Sequence, residues 1–268
     1  MQGWQMMDQA TLDDAYANAP YIPDAEAFPP RWQAEAADFR AKTRCDLDIA
    51  YAATNGATLD LFHPEGQPGG LVVFVHGGYW RRFGKSDWSH FAAGALAAGQ
   101  AVAMIGYPLA PNVRIHEITT LVSRGIDAAA TRISGPIRLT GHSAGGHLVA
   151  RMLQPDAAPA CVGRIATCVP ISPVADLRPL VPQSLNVDWN LTPEEADRES
   201  PCLHPAPEGV SVAIHVGAAE RPSFLWQAEA LAEAWSAPVR RAEGRHHFDV
   251  IDALKDPASR LMCDLLGR

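Results

Sequence analysis

The serine in Gly141-His142-Ser143-Ala144-Gly145 is the group in this chain best placed to do covalent chemistry. It follows the apolar run 137–140 and precedes a helix-like stretch, 146–153. A Gly-x-Ser-x-Gly turn between a strand and a helix is so tight that only glycine fits on either side, and it holds the hydroxyl clear of the sheet's end. Upstream, Val72-Val73-Phe74-Val75 runs directly into His76-Gly77-Gly78-Tyr79-Trp80. The backbone N–H groups of Gly77 and Gly78, with that of Ala144, would bind an oxyanion formed by attack on a carbonyl. Together the two segments predict acyl transfer through Ser143.

A serine hydroxyl is a poor nucleophile at neutral pH. It needs an imidazole to take its proton and a carboxylate to fix and stabilise that imidazole. With the serine at the head of a parallel sheet, the partners follow it in the order acid, histidine, on loops at the carboxyl ends of strands. His147 points down the helix, His204 lies in a long excursion and His215 sits within a strand pattern. Only His246 and His247 follow the last strand. His247 is favoured because it precedes the final helical segment and is anchored by Phe248, with His246 as second choice. Glu220, on the loop after strand 211–216, is the expected acid; Asp176, after strand 165–171, is its competitor.

Tyr79, Trp80, Trp189 and Phe224 fall near these segments and are expected to line a pocket for a flat or apolar group of a small-molecule substrate. No HExxH or cysteine pair is present, and adjacent histidines cannot easily reach one ion, so no metal and no other cofactor is expected. His76 and His142 read as hydrogen bonders that stabilise turns.

The elements that must hold these groups follow from patterning. Asp46–Tyr51 and Thr58–Phe62 alternate polar and apolar residues around Asn55-Gly56, an antiparallel edge hairpin. Apolar runs at 71–75, 101–106, 137–140, 165–171, 211–216 and 238–242 are separated by helical stretches. Strands apolar on both faces predict an α/β chain with a mostly parallel central sheet and helices on both sides. Residues 1–46 read as an N-terminal arm: a helix near 11–16, an extended proline-rich piece through Pro29-Pro30, then a helix from Trp32 to Lys42. The stretch 173–209 reads as a cover over the site, with a capped helix start at Thr192-Pro193-Glu194-Glu195.

At 268 residues the chain fits a single domain. Its net charge of −8 argues against nucleic acid or an anionic membrane as partner. Five scattered cysteines, no apolar stretch long enough to cross a bilayer and a start without a basic or apolar leader pattern predict a cytoplasmic protein. A monomer and a homodimer both remain open.

The same motifs, with Tyr107-Pro108-Leu109-Ala110-Pro111, Asp176-Leu177-Arg178-Pro179-Leu180, Ser200-Pro201, Glu220-Arg221-Pro222-Ser223-Phe224 and His247-Phe248-Asp249, resemble the arylformamidase (kynurenine formamidase) branch of the α/β-hydrolase serine esterases over nearly the whole chain. The resemblance implies an α/β-hydrolase fold, Ser143 as nucleophile, His247 as base, Glu220 at the acid position and Gly77, Gly78 and Ala144 as oxyanion donors. It departs in having Glu where the animal enzymes have Asp. The activity it implies is hydrolysis of N-formylkynurenine in tryptophan breakdown. A general short-chain carboxylesterase or thioesterase is the alternative, and a catalytically silent binding protein the remote one.

Overall fold

Runs of β-branched and apolar residues form the middle of a twisted sheet. The strands are β1 (Cys45–Ala50), β2 (Thr58–Phe62), β3 (Leu71–Val75), β4 (Ala101–Ile105), β5 (Ile137–His142), β6 (Ile165–Ile171), β7 (Ser211–Val212), β8 (Ile214–Gly217) and β9 (Val239–Ala242). The computed structural model describes residues 3–268; Met1 and Gln2 of the expected arm lie outside them. The order is β1-β2-β4-β3-β5-β6-β8-β9, with the short β7 pairing beside β6. β1 and β2 form the antiparallel hairpin, β2 also runs antiparallel to β4, and the pairs from β4 to β9 are parallel. The chain thus has the expected α/β architecture. The run 211–216 differs from expectation in being split at Ala213.

Every residue of β3 and β4 is buried, as strands covered on both faces must be. On one face pack α4 (Ile115–Ala130), α5 (Ala144–Arg151) and α8 (Pro222–Trp235); on the other lie α2 (Phe28–Lys42), α3 (Ala93–Ala97) and α9 (Arg260–Leu266). In α4 the buried residues Ile115, Ile118, Val122, Ile126 and Ala129 recur every three or four positions, a stripe that faces the sheet.

The arm begins with α1 (Gln9–Tyr16), capped by Asp8, which accepts from the Thr11 N–H at 2.8 Å. Its second helix starts four residues earlier than expected. Pro29 and Pro30 belong to the first turn of α2 rather than to an extended piece, because an amide hydrogen has no partner to lose there. Phe28, Trp32 and Ala36 then form one buried face.

The excursion 173–209 holds α6 (Asn186–Trp189) and α7 (Pro193–Glu199). Thr192 caps α7 by accepting from the Glu195 N–H at 3.2 Å. Two buried carboxylates tie this segment down: Glu195 meets Arg114 and His116, and Glu199 accepts from Thr119 at 2.8 Å and Arg151 at 3.2 Å. After β9 the segment Val250–Lys255 is a 3-10 helix. Among the described residues no helix is long and apolar enough to cross a membrane.

The tightest point is where α5 crosses β3. A Cβ on Gly145 would lie 1.9 Å from the Val75 carbonyl oxygen and 2.6 Å from that of His76. Backbone cannot yield as a side-chain tip can, so Gly145→Ala should cost about 3 kcal/mol or more, a fall in Tm on the order of 10 °C. Thermal unfolding checks this; a Tm within 2 °C or so of the parent would contradict the packing.

Candidate active site

Ser143 stands at the junction of β5 and α5 with φ 58° and ψ −116°, outside the regions that L residues ordinarily occupy. Its N–H donates to the Ile171 carbonyl at 2.8 Å, and its own carbonyl accepts from the His147 N–H at 3.0 Å. Both flanks of the turn are crowded: a Cβ on Gly141 would meet the Gly145 carbonyl oxygen at 2.4 Å. The strained backbone is therefore held from below by β6 and from both sides by glycine contacts.

His247 and Glu220 meet although they lie on different loops. Glu220 follows β8 and His247 follows β9; these strands are parallel neighbours, so their carboxyl ends emerge side by side. His247 Nδ1 donates to Glu220 Oε2 at 2.6 Å. The other carboxylate oxygen, Oε1, accepts from Ser172 Oγ at 2.5 Å and from the Gly217 N–H at 2.7 Å. The Glu220 side chain is 0% exposed, so these donors replace water around a buried charge. Phe224, from the first turn of α8, packs on the imidazole with ring centroids 4.2 Å apart.

Both second-choice residues are engaged elsewhere. Asp176 binds Arg178 through Nε at 2.9 Å and Nη2 at 2.6 Å, and receives the Arg178 N–H at 3.0 Å. His246 Nδ1 accepts from the Phe248 N–H at 3.1 Å and lies 3.3 Å from Asp249.

The glycine loop reaches the serine. A Cβ on Gly77 would sit 3.2 Å from Ser143 Cβ and 2.8 Å from the His142 carbonyl oxygen, so the loop can approach this closely only as glycine. Among the described residues, none accepts a hydrogen bond from the N–H of Gly77, Gly78 or Ala144. The two histidines before these segments bond to backbone. His142 Nε2 donates to the His247 carbonyl at 2.8 Å, linking the serine turn to the imidazole loop. His76 bonds the Gly77 carbonyl at 2.8 Å and stacks on Tyr107 at 4.2 Å.

Ser143, His247, Gly78 and Tyr79 border one cavity of about 640 Å³. Three of the expected pocket residues are not on its wall. Trp80, Trp189 and Phe224 are each 0% exposed. Trp80 packs edge-on against His147 and Trp189, and Trp189 Nε1 donates to the Tyr79 carbonyl at 2.8 Å, so both form the floor beneath Tyr79. Phe224 is covered by His247 itself.

The wall comes instead from places that sequence reading overlooked. The arm supplies Tyr16, Asn18 and Trp32; the segment after the glycine loop supplies Phe83 and Trp88; Gln183, Ser184 and Leu185 come from the excursion. For Trp32 a signal existed: with Phe28 and Ala36 it marks an apolar face four residues apart. For Ser172 the signal was its position, directly after β6 beside the loop of β8. Among the described residues no group of three metal-ligating side chains gathers.

Against known proteins, the model of a family described as the alpha/beta hydrolase fold matches residues 72–251, well over half of the chain. A kynurenine formamidase from Danio rerio is 27% identical over 85% of this chain and 84% of its own length. One from Drosophila melanogaster is 30% identical over 68% and 67%. The chain therefore belongs to the alpha/beta hydrolase fold family, and within it to the formamidase-like hydrolases. Among solved structures, a Silicibacter sp. protein with a provisional thioesterase assignment superposes with a TM-score of 0.93 and 52% identity, covering 95% of this chain and 98% of that one. An esterase from Pyrobaculum calidifontis shares the fold, with a TM-score of 0.67 and 16% identity over 97% and 96%.

Two outcomes follow from this geometry. Burial holds the His76 imidazole down to about 4 and that of His147 down to about 3; burial, then the neighbouring His247, holds His142 well below its ordinary value. In the unfolded chain these rings take up protons below about pH 6.5, whereas in the folded chain they do not. Stability is thus fully present above about pH 6.5 and falls between there and about pH 4, each ring adding up to about 1.4 kcal/mol per pH unit. Urea titrations across pH 8 to 4 measure this, and a flat profile would refute it.

The second concerns Ser172, fully buried with φ 47°. Removing its hydroxyl takes away one of the two donors that hold Glu220 Oε1, so the carboxylate loses its fixed aim at His247. The kcat/KM for ester hydrolysis should then fall about ten-fold. Ser172→Gly relieves the backbone and Ser172→Ala does not. The hydroxyl contact requires both variants to fall alike; parent-like turnover in Ser172→Gly would assign the residue to backbone strain alone.

Proposed function

We propose that the chain is a serine hydrolase in which Ser143, His247 and Glu220 form the catalytic triad, with Gly77, Gly78 and Ala144 as oxyanion donors. The carrying observation is the buried Glu220–His247 pair, whose imidazole borders the same cavity as Ser143. Ser143 Oγ attacks the substrate carbonyl carbon while His247 Nε2 takes its proton. The carbonyl oxygen becomes an oxyanion received by free backbone N–H groups. The C–N or C–O bond then breaks, and His247 protonates the departing amine or alcohol. Water, deprotonated by the same imidazole, attacks the acyl-serine and restores the enzyme. Glu220 holds Nδ1–H throughout, which keeps Nε2 unprotonated in the resting state and stabilises the imidazolium.

The favoured substrate is an aryl formamide of the N-formylkynurenine kind, as in the formamidases it resembles. The cavity's aromatic wall of Tyr79, Phe83, Trp32 and Trp88 suits a flat leaving group. The thioester reading rests on the Silicibacter protein. Five free cysteines support a reducing, cytoplasmic setting.

The test is a panel of N-formylkynurenine, p-nitrophenyl acetate and butyrate, and acetyl and butyryl thioesters, run with and without a chelator. The expected result is kcat/KM for the formamide at least about ten-fold above the thioesters, unaffected by chelation; the reverse order would make the chain a thioesterase. Ser143→Ala should lose turnover by on the order of 10⁵-fold or more and Glu220→Gln by about 10³–10⁴-fold. Parent-like turnover in Ser143→Ala would discard the mechanism.

A further inference from the structure

The arm is fastened to both halves of the site. The Tyr79 hydroxyl, one residue past Gly78, donates to the Tyr16 carbonyl at 2.7 Å. From α8, which begins two residues after Glu220, Gln227 Nε2 donates to the Tyr16 hydroxyl at 2.8 Å, Ser223 to the Ala15 carbonyl, and Arg221 just before it to Asp14 at 2.8 Å. Residues 14–18 therefore keep a set position relative to the glycine loop and the acid.

Asn18 is the arm residue that this fastening does not explain. It stands at the cap position of the short 3-10 turn Ala19–Tyr21, where an asparagine side chain ordinarily accepts from the turn's own N–H groups, yet it makes no such bond. It is 8% exposed and lines the cavity beside Ser143 and His247; its Oδ1 is buried without a hydrogen-bond partner among the described residues. Trp32 and Trp88 line the same cavity with ring centroids 4.8 Å apart, and their indole N–H groups also lack partners among the described residues. The Asn18 side chain therefore lies on the wall of the cavity with its amide unspent on the turn, where a polar group of a ligand can meet it.

We propose that Asn18 is a specificity-determining residue. With the Trp32–Trp88 wall it receives the end of the substrate remote from the scissile carbonyl, an aryl group bearing a carboxamide or carboxylate that hydrogen-bonds the Asn18 amide. This rests on the serine acyl-transfer reading and names the substrate class for it. The Asn18 amide selects a polar substituent able to hydrogen-bond it, and the aromatic wall selects a flat ring.

The test compares phenyl acetate with its carbamoyl- and carboxy-substituted analogues, each rate divided by its non-enzymatic hydrolysis to remove leaving-group reactivity. The parent should favour the carbamoyl ester about ten-fold in kcat/KM, through KM. In Asn18→Ala that preference should fall to about one. Asn18→Asp keeps the size of the side chain but adds charge, and should disfavour the carboxy ester most. Benzamide binding, followed by tryptophan fluorescence, reads the same contact without turnover and should weaken in Asn18→Ala. Loss of turnover on every ester in the parent, with benzamide still bound more tightly than by Asn18→Ala, would refute the acyl-transfer reading and leave the contact standing. Equal ester preferences and equal benzamide affinities in parent and variants would overturn the proposal, water then being the partner of Asn18.

Discussion

The structure around the cavity depends on one buried anion. The Glu220 side chain is shut off from solvent, and its two oxygens are divided between the imidazole of His247 on one side and the Ser172 hydroxyl and Gly217 N–H on the other. Each donor comes from a different strand end: Ser172 from β6, Gly217 from β8, His247 from the loop after β9. A carboxylate so enclosed is stable only while all three strands keep their register, so the pair reports on the sheet as much as on the site. The glutamate side chain is long enough to reach both the imidazole and the two donors.

A second constraint acts on the nucleophile side. Ser143 is kept in a conformation that a free chain would leave at once, and what keeps it there is close backbone contact through Gly141 and Gly145 to β3 and α5. His142 then joins the two sides: its side chain reaches the His247 carbonyl, so serine turn and imidazole loop are coupled by a single bond between a ring and a peptide oxygen. Burial keeps that ring neutral, so one nitrogen carries the hydrogen donated to the His247 carbonyl.

Much of this is legible in the residues themselves. The parallel sheet follows from apolar runs with no polar face, and the order serine, acid, histidine narrows each partner to a loop. Glu220 and Asp176 both follow strand ends, and pattern alone does not separate them; Arg178, two residues on from Asp176, occupies both its oxygens. What could not be read was lateral packing. Trp80 and Trp189 lie in loops and so looked like pocket residues, yet each is turned inward because the indole of one forms the bed for the other. The arm's role depends on where residues 14–18 land against α8, a contact more than 200 residues apart along the chain, for which local pattern carries no signal. Pro29-Pro30 misled for a local reason: proline opens helices as readily as it ends them.

Acylation of Ser143 is proposed to depend on the His247 imidazole that borders the same cavity. Treatment with a fluorophosphonate followed by intact mass and peptide mapping tests it directly. One adduct per chain is expected, on Ser143, forming far more slowly in His247→Ala. An unmodified chain, or an adduct mapped to another residue, would contradict it.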